Sequence, residues 1–138
     1  MTSSPGEPYE LWLPGFVPPT LNVSLRKHWA KRAQANREVA WLLRAAVGRR
    51  GLPVKPLPRA RLVIECRRAG VMPDQDGLVG GCKGLIDCLQ PFHEKKRKYG
   101  VGFIEGDDPA RLDLHVRGVR VAKRTEQGTL IIIEPLEA

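Results

Sequence analysis

Asp74 and Asp76 stand two residues apart in the run Pro73-Asp74-Gln75-Asp76-Gly77-Leu78. In an extended segment residues i and i+2 point to the same side, so both carboxylates can reach one point in space. Two like charges held that close repel, and one pKa rises unless a cation compensates. An oxygen pair of this kind suits Mg²⁺, which takes one or two carboxylates and completes its shell with water and phosphate oxygens. The chain carries a formal charge of +8, yet Asp74, Asp76, Asp87, Asp107 and Asp108 all fall between Pro73 and Asp108.

The segment after the pair predicts a helix over residues 77–89. Leu78, Cys82, Leu85, Ile86 and Leu89 recur at the spacing of a buried helical stripe. At about 100° per residue, Asp76, Gly80, Lys83 and Asp87 share a second face, which turns Lys83 the same way as the Asp pair two turns on. Asp107-Asp108 comes from beyond the helix and can return a third carboxylate. The same residues also have purely structural explanations. An Asp ahead of a helix is an ordinary N-cap, a role Asp76 can fill alone. Asp107-Asp108-Pro109 is a turn signal. Lys83 and Asp87 make an i, i+4 surface pair.

Positioning falls to the elements on either side. Tyr9-Glu10-Leu11-Trp12-Leu13 alternates and predicts a first strand, ending at Pro14-Gly15. A helix is expected from about Trp29 to Val47, with Val39, Leu42, Leu43 and Ala46 on its inner side and Gly48 and Gly51 closing it. Arg61 to Arg67 is a β-rich run that delivers Asp74 and Asp76 just past a strand end. Arg111 to Val119 and Thr129 to Glu134 are two further strands, expected to pair as a hairpin around a turn at 123–128. Residues 1–8 read as a disordered lead-in and 9–138 as one domain. The order predicts an α+β fold: a small mixed β-sheet with two main helices packed on it, ending in a β-hairpin.

A chain of 138 residues is long enough for one buried core without staples. Its sequence pI near 9.9 points to a polyanionic partner, with nucleic acid ahead of a membrane surface. The expected phosphate contacts are Asn22, Arg26, Lys27, Lys31 and Arg32 at the head of the long helix and Lys95, Lys96, Arg97 and Lys98 in a basic loop. His93 in that loop has no partner in the pattern. Three cysteines without a C-x-x-C spacing argue for a reducing compartment and against structural zinc. Cys82 and Cys88 fall among apolar helical positions and read as core. The polar start Met1-Thr-Ser-Ser-Pro-Gly lacks an apolar leader, and no run approaches membrane-spanning length. A cytoplasmic protein is the expectation, with no membrane partner and no small-molecule cofactor.

These motifs, in this order, resemble the RusA-like Holliday-junction resolvases, endonucleases common in phages and prophages. The resemblance runs from about Leu11 to Pro135. Pro18-Pro19-Thr20-Leu21-Asn22 is similar to that family's Pro-Pro-Ser-x-Asn, and Asp74-Gln75-Asp76-Gly77-Leu78 to its Asp-x-Asp-Asn-Leu. Lys83-Gly84-Leu85-Ile86-Asp87-Cys88-Leu89 is similar to its Lys-x-x-x-Asp-x-Leu, and Asp107-Asp108 to its Asp-Asp pair. Gly77 departs from the family Asn, and the gap from Asp76 to Lys83 is longer by about one helical turn. The resemblance implies that Asp74, Asp76 and Asp108 bind Mg²⁺, with Mn²⁺ as a substitute, and that Lys83 is the catalytic lysine. Asp87 and Asp107 would then stand behind the ligands. It further implies a homodimer that acts on branched DNA in a bacterial or phage-infected cell and takes part in DNA recombination and repair. A two-fold partner suits paired symmetric nicks on a four-way junction. The competing expectations are a basic DNA-binding accessory protein whose Asp residues only cap and turn, and a nuclease of flaps or other branches.

Overall fold

The computed structural model describes residues 7–18, 29–91 and 100–137. Four strands and three helices follow in the order β1 (Tyr9–Pro14), α1 (Trp29–Ala46), β2 (Ala60–Ala69), α2 (Gln75–Gly81), α3 (Lys83–Leu89), β3 (Leu112–Val121) and β4 (Gly128–Pro135). A 3₁₀ turn at Arg124–Glu126 joins β3 to β4. The sheet runs β1-β4-β2-β3, with β2 parallel to β3 and the other two pairings antiparallel. This is the expected α+β fold with a small mixed sheet.

The expected closing hairpin is corrected: β3 and β4 are consecutive in the chain, but β2 lies between them. Composition explains the order. The Ile131-Ile132-Ile133 run of β4 presents apolar groups to both sides, as a central strand must. Asp113, His115, Arg117 and Arg120 leave β3 exposed charges suited to an edge.

Register assigns the two faces. Leu11 and Leu13, Leu62, Ile64 and Cys66, Leu112 and Val116, and Ile131 and Ile133 point to one side and are buried. There they meet Val39, Ala40 and Leu43 of α1 and Leu78, Cys82, Leu85, Ile86, Cys88 and Leu89 of the helical pair. Leu42 is 37% exposed, so it leaves the inner side expected of it. Gly48 (φ 68°) ends α1 in the left-handed conformation that glycine tolerates.

The apolar stripe from Leu78 to Leu89 is buried as expected, but the single helix is two. Cys82 joins α2 to α3 with φ −83° and ψ −3°. Three glycines (Gly77, Gly80, Gly81) precede the joint, and each costs up to about 1 kcal/mol relative to alanine in a helix interior. Gly84 allows α3 to press on α1, since a Cβ there would stand 2.7 Å from Asn36 Oδ1. No helix among the described residues is long and apolar enough to cross a membrane.

Candidate functional site

The chain leaves β2 at Ala69 and doubles back along β3. Met72 fills the space that Gly118 leaves open, and Gln75 Nε2 donates to Val116 O at 2.8 Å. These contacts set the start of α2 beside the middle of β3. Asp74 is the N-cap: its Oδ1 accepts the Gly77 N–H at 2.8 Å. The cap thus falls to Asp74, and Asp76 occupies the first turn. Both carboxylates are exposed there. A Cβ at position 77 would stand 2.8 Å from Asp74 Oδ1, so Gly77 leaves room for the carboxylate to close over the backbone.

Lys83 is exposed at the head of α3. Cys82, with ψ −3° where a regular helix has about −42°, swings α3 off the line of α2. The wheel of one straight helix therefore no longer decides where Lys83 points relative to Asp76. Asp108 lies in the turn that opens β3. Its backbone oxygen accepts from Arg111 N at 3.0 Å and Leu112 N at 2.9 Å, and its Oδ1 stands 3.7 Å from Arg111 Nη1. The turn expected from Asp107-Asp108-Pro109 is therefore formed. Between Leu112, where β3 begins, and Val116, where Gln75 meets it, a strand advances about 13 Å.

The structure accordingly places Asp74 at the N-cap and Asp76 in the first turn of α2, so helical backbone replaces the extended i, i+2 geometry that would turn both carboxylates to one point, and it leaves Asp107 and Asp108 at the opening of β3. Among the described residues no three His, Cys, Asp or Glu side chains gather closely enough to hold a metal ion. No protein-family model matches the chain, and no curated protein does. Asp74 and Asp76 are two water-exposed carboxylates within one turn of chain, oxygen donors of the kind that hard cations prefer.

The Cys82 and Cys88 thiols are held protonated. Cys66, Cys82 and Cys88 are free and buried. Burial, with the nearby Asp87 charge adding to it, pushes the Cys88 thiol up to about 12. The hydrogen bond with Cys66 raises Cys82, and burial raises it further. Of the expected DNA contacts, Asn22, Arg26, Lys27, Lys95, Lys96, Arg97 and Lys98 lie outside the described residues, as does His93. Lys31 and Arg32 fall within α1, but their side chains lie outside the description.

Two features went unread in the sequence. One is Trp41, which stands 69% exposed on α1. Its position off the Val39-Leu43-Ala46 stripe was the available signal. The other is the ion-pair lattice on the uncovered sheet face. There Glu65 accepts from Arg67 at 2.8 Å and from Arg117 at 3.0 Å. Asp113 pairs with Arg61 and with His115, each at 3.0 Å. The hydrogen bond from Arg61, then that from His115, holds the Asp113 carboxyl below its ordinary range. Glu65–Arg67 and Asp113–His115 join residues two apart on one strand, whereas cross-strand register creates Glu65–Arg117 and Arg61–Asp113, and register is not visible before strand order is known.

Proposed function

We propose that the protein is a Mg²⁺-dependent endodeoxyribonuclease that nicks branched DNA, with the four-way junction as its substrate and a homodimer as its working form. The observation that carries the reading is the pair Asp74 and Asp76, exposed at the head of α2 on a chain of net charge +8. A basic protein that keeps two carboxylates open to solvent in one turn provides both an attraction for the phosphate backbone and a place for a divalent cation. The ordered motifs shared with the RusA-like resolvases support it.

In this reading Asp74 and Asp76 hold the cation, and water and a phosphate oxygen complete its shell. When bound, the metal lowers the pKa of a water and offsets charge on the phosphodiester in the transition state. Lys83 contributes a fixed positive charge for the developing anion or the leaving oxygen. Asp108 is the third ligand by resemblance alone, and one chain does not carry it to the other two. Asp74 has a double duty, because its Oδ1 is already engaged by Gly77 N–H. That hydrogen bond fixes the carboxylate rather than blocking it, since a carboxylate has further lone pairs to offer a cation.

The deciding experiment is cleavage of a labelled four-way junction, with duplex and flap controls, in Mg²⁺ and in EDTA. Wild type and Asp76→Asn are compared. Paired symmetric nicks on the junction, present only with metal and lost in the variant, support the resolvase. Metal-dependent cleavage of flaps instead keeps the site and changes the substrate. Binding with no cleavage leaves a DNA-binding accessory protein, the reading favoured by Asp74 acting as a plain cap.

A further inference from the structure

Helix α1 commits Val39, Ala40 and Leu43 to the core. On the same side the backbone oxygen of Asn36 accepts from Cys88 Sγ at 3.2 Å. The opposite side holds Arg37, Trp41 and Arg44, which follow at i, i+4 and i+7 and therefore line up along one exposed ridge. Trp41 sits in the middle of that ridge with 69% of its surface in water.

The other surface aromatics among the described residues are covered from within. The Arg50 guanidinium lies 3.6 Å above the Tyr9 ring, and Tyr9 meets Phe103 edge-on at 5.6 Å. Arg67 lies 5.0 Å above the Trp12 ring, and that indole occupies the space a side chain at Gly128 would take. The Trp41 indole, by contrast, adds little to the core and keeps a ring face in water, where it is available for stacking.

Charge selects the occupant. From Trp29 to Arg50 the chain has six Lys and Arg (Lys31, Arg32, Arg37, Arg44, Arg49, Arg50) against the single acid Glu38. That excess of positive charge favours a polyanion over an apolar protein surface. A nucleic acid supplies phosphates for the cations and a π face for the indole. Intact duplex hides its base faces in the stack, so the ridge favours DNA with unpaired bases.

We propose that Trp41 is a stacking platform for an unstacked base at a branch point or single-stranded segment, with Arg44 beside the flanking phosphate. The proposal rests on the DNA reading above and names a contact that reading lacked. It does not depend on catalysis.

The test is binding, measured by fluorescence anisotropy in EDTA so that no cleavage intervenes. The probes are a labelled single strand, a four-way junction and a blunt duplex. The proteins are the full chain, Trp41→Ala, Trp41→Phe and Arg44→Ala. Loss of one stacked base weakens binding on the order of tenfold. Trp41→Ala is expected to show that loss on the single strand and the junction and little change on duplex, at an unaltered slope of affinity against salt. Trp41→Phe should recover most of it. Arg44→Ala should instead lower the salt slope by about one.

Wild-type affinity of Trp41→Ala for all three probes overturns the proposal, as does an equal loss on duplex. A shift of Trp41→Ala to a smaller species in sedimentation also overturns it, because the ridge would then belong to a second copy of the chain. Failure of the wild type to bind any DNA removes the proposal together with the DNA reading. Binding without metal-dependent cleavage removes the nuclease reading alone and leaves the platform standing.

Discussion

The carboxylates of the uncovered sheet face and those around α2 live under different rules. On the sheet, Arg61 stands beside Asp113 of β3 and Glu134 of β4, and Glu65 stands beside Arg117. Three acids there meet an arginine: Glu65 at 2.8 and 3.0 Å, Asp113 at 3.0 Å, Glu134 at 3.4 Å, while Glu10 of β1 on the same face makes no ion pair among the described residues. Glu65 is buried to 8% exposure at the centre of that lattice, a position a lone carboxylate would not tolerate. In the connections between strands no such register operates. Asp76 and Asp107 make no hydrogen bond or ion pair among the described residues, and Asp108 has only the loose, exposed contact at 3.7 Å to Arg111. The sequence holds 23 Lys and Arg against 15 Asp and Glu, so cations are plentiful. Neutralisation at the centre of the sheet therefore follows placement rather than supply, and an exposed acid left unpaired, as Asp76 is, stands open to an outside cation.

That contrast can be broken at several strengths. The largest effect is expected at Asp76→Asn: a fall in metal-dependent DNA cleavage of at least about a hundredfold, from loss of one charge that acts in the transition state. The melting temperature should stay at the wild-type value, because Asp76 holds nothing in the fold. Glu65→Ala reverses the pattern. It leaves Arg67 and Arg117 facing each other without their shared anion and should cost about 2 kcal/mol in urea unfolding, while any cleavage activity persists in the folded fraction.

Asp74 lies between these two cases. Asp74→Ala removes a cap and should cost about 1 kcal/mol, whereas Asp74→Asn keeps the cap and removes the charge. A loss of cleavage in the Asn variant at unchanged stability separates ligand from cap. Full cleavage in that variant would confine Asp74 to capping. The smallest effect is a pH dependence. The Asp113 carboxyl is held below its ordinary range by Arg61, so its contribution is complete above about pH 4 and fades as the pH drops through the depressed value. Acid unfolding of Asp113→Asn should lack that increment, and an identical acid limb in both proteins would show that the pair is idle.

Much of the frame was legible because it follows local periodicity. The alternation of Tyr9–Leu13 and Arg111–Val119 and the stripe Leu78, Cys82, Leu85, Ile86, Leu89 each specify a buried side without reference to the rest of the chain. Three things were not legible. Strand order depends on which element wins the centre of the sheet, and β2 took the place that a β3–β4 hairpin would have closed. The division of one helix at Cys82 arises from the glycines before it and the contacts of its two halves, which periodicity does not register. At the candidate site, the i, i+2 reading of Asp74 and Asp76 presumed extended backbone where the chain begins a helix. The course of the chain from Ala69 to Leu112 decides where Asp108 lies, and spacing is silent on that course.

The strand order also governs how the chain can fold. No pair of neighbouring strands is a hairpin: Tyr9 meets Ile133, Ala60 meets Leu112, and Ala60 also meets Pro135. Every rung of the sheet closes a long loop, so none can serve as a local nucleus, and the entropy of closure must be met before any rung is rewarded. Helix α1 is the one long element able to form early from its own sequence. A refolding time in the slow range of small β-rich domains, milliseconds to seconds, is the kinetic signature of such a topology. The crossover that carries Asp74, Asp76 and Lys83 then takes its final shape only when β2 and β3 have found each other.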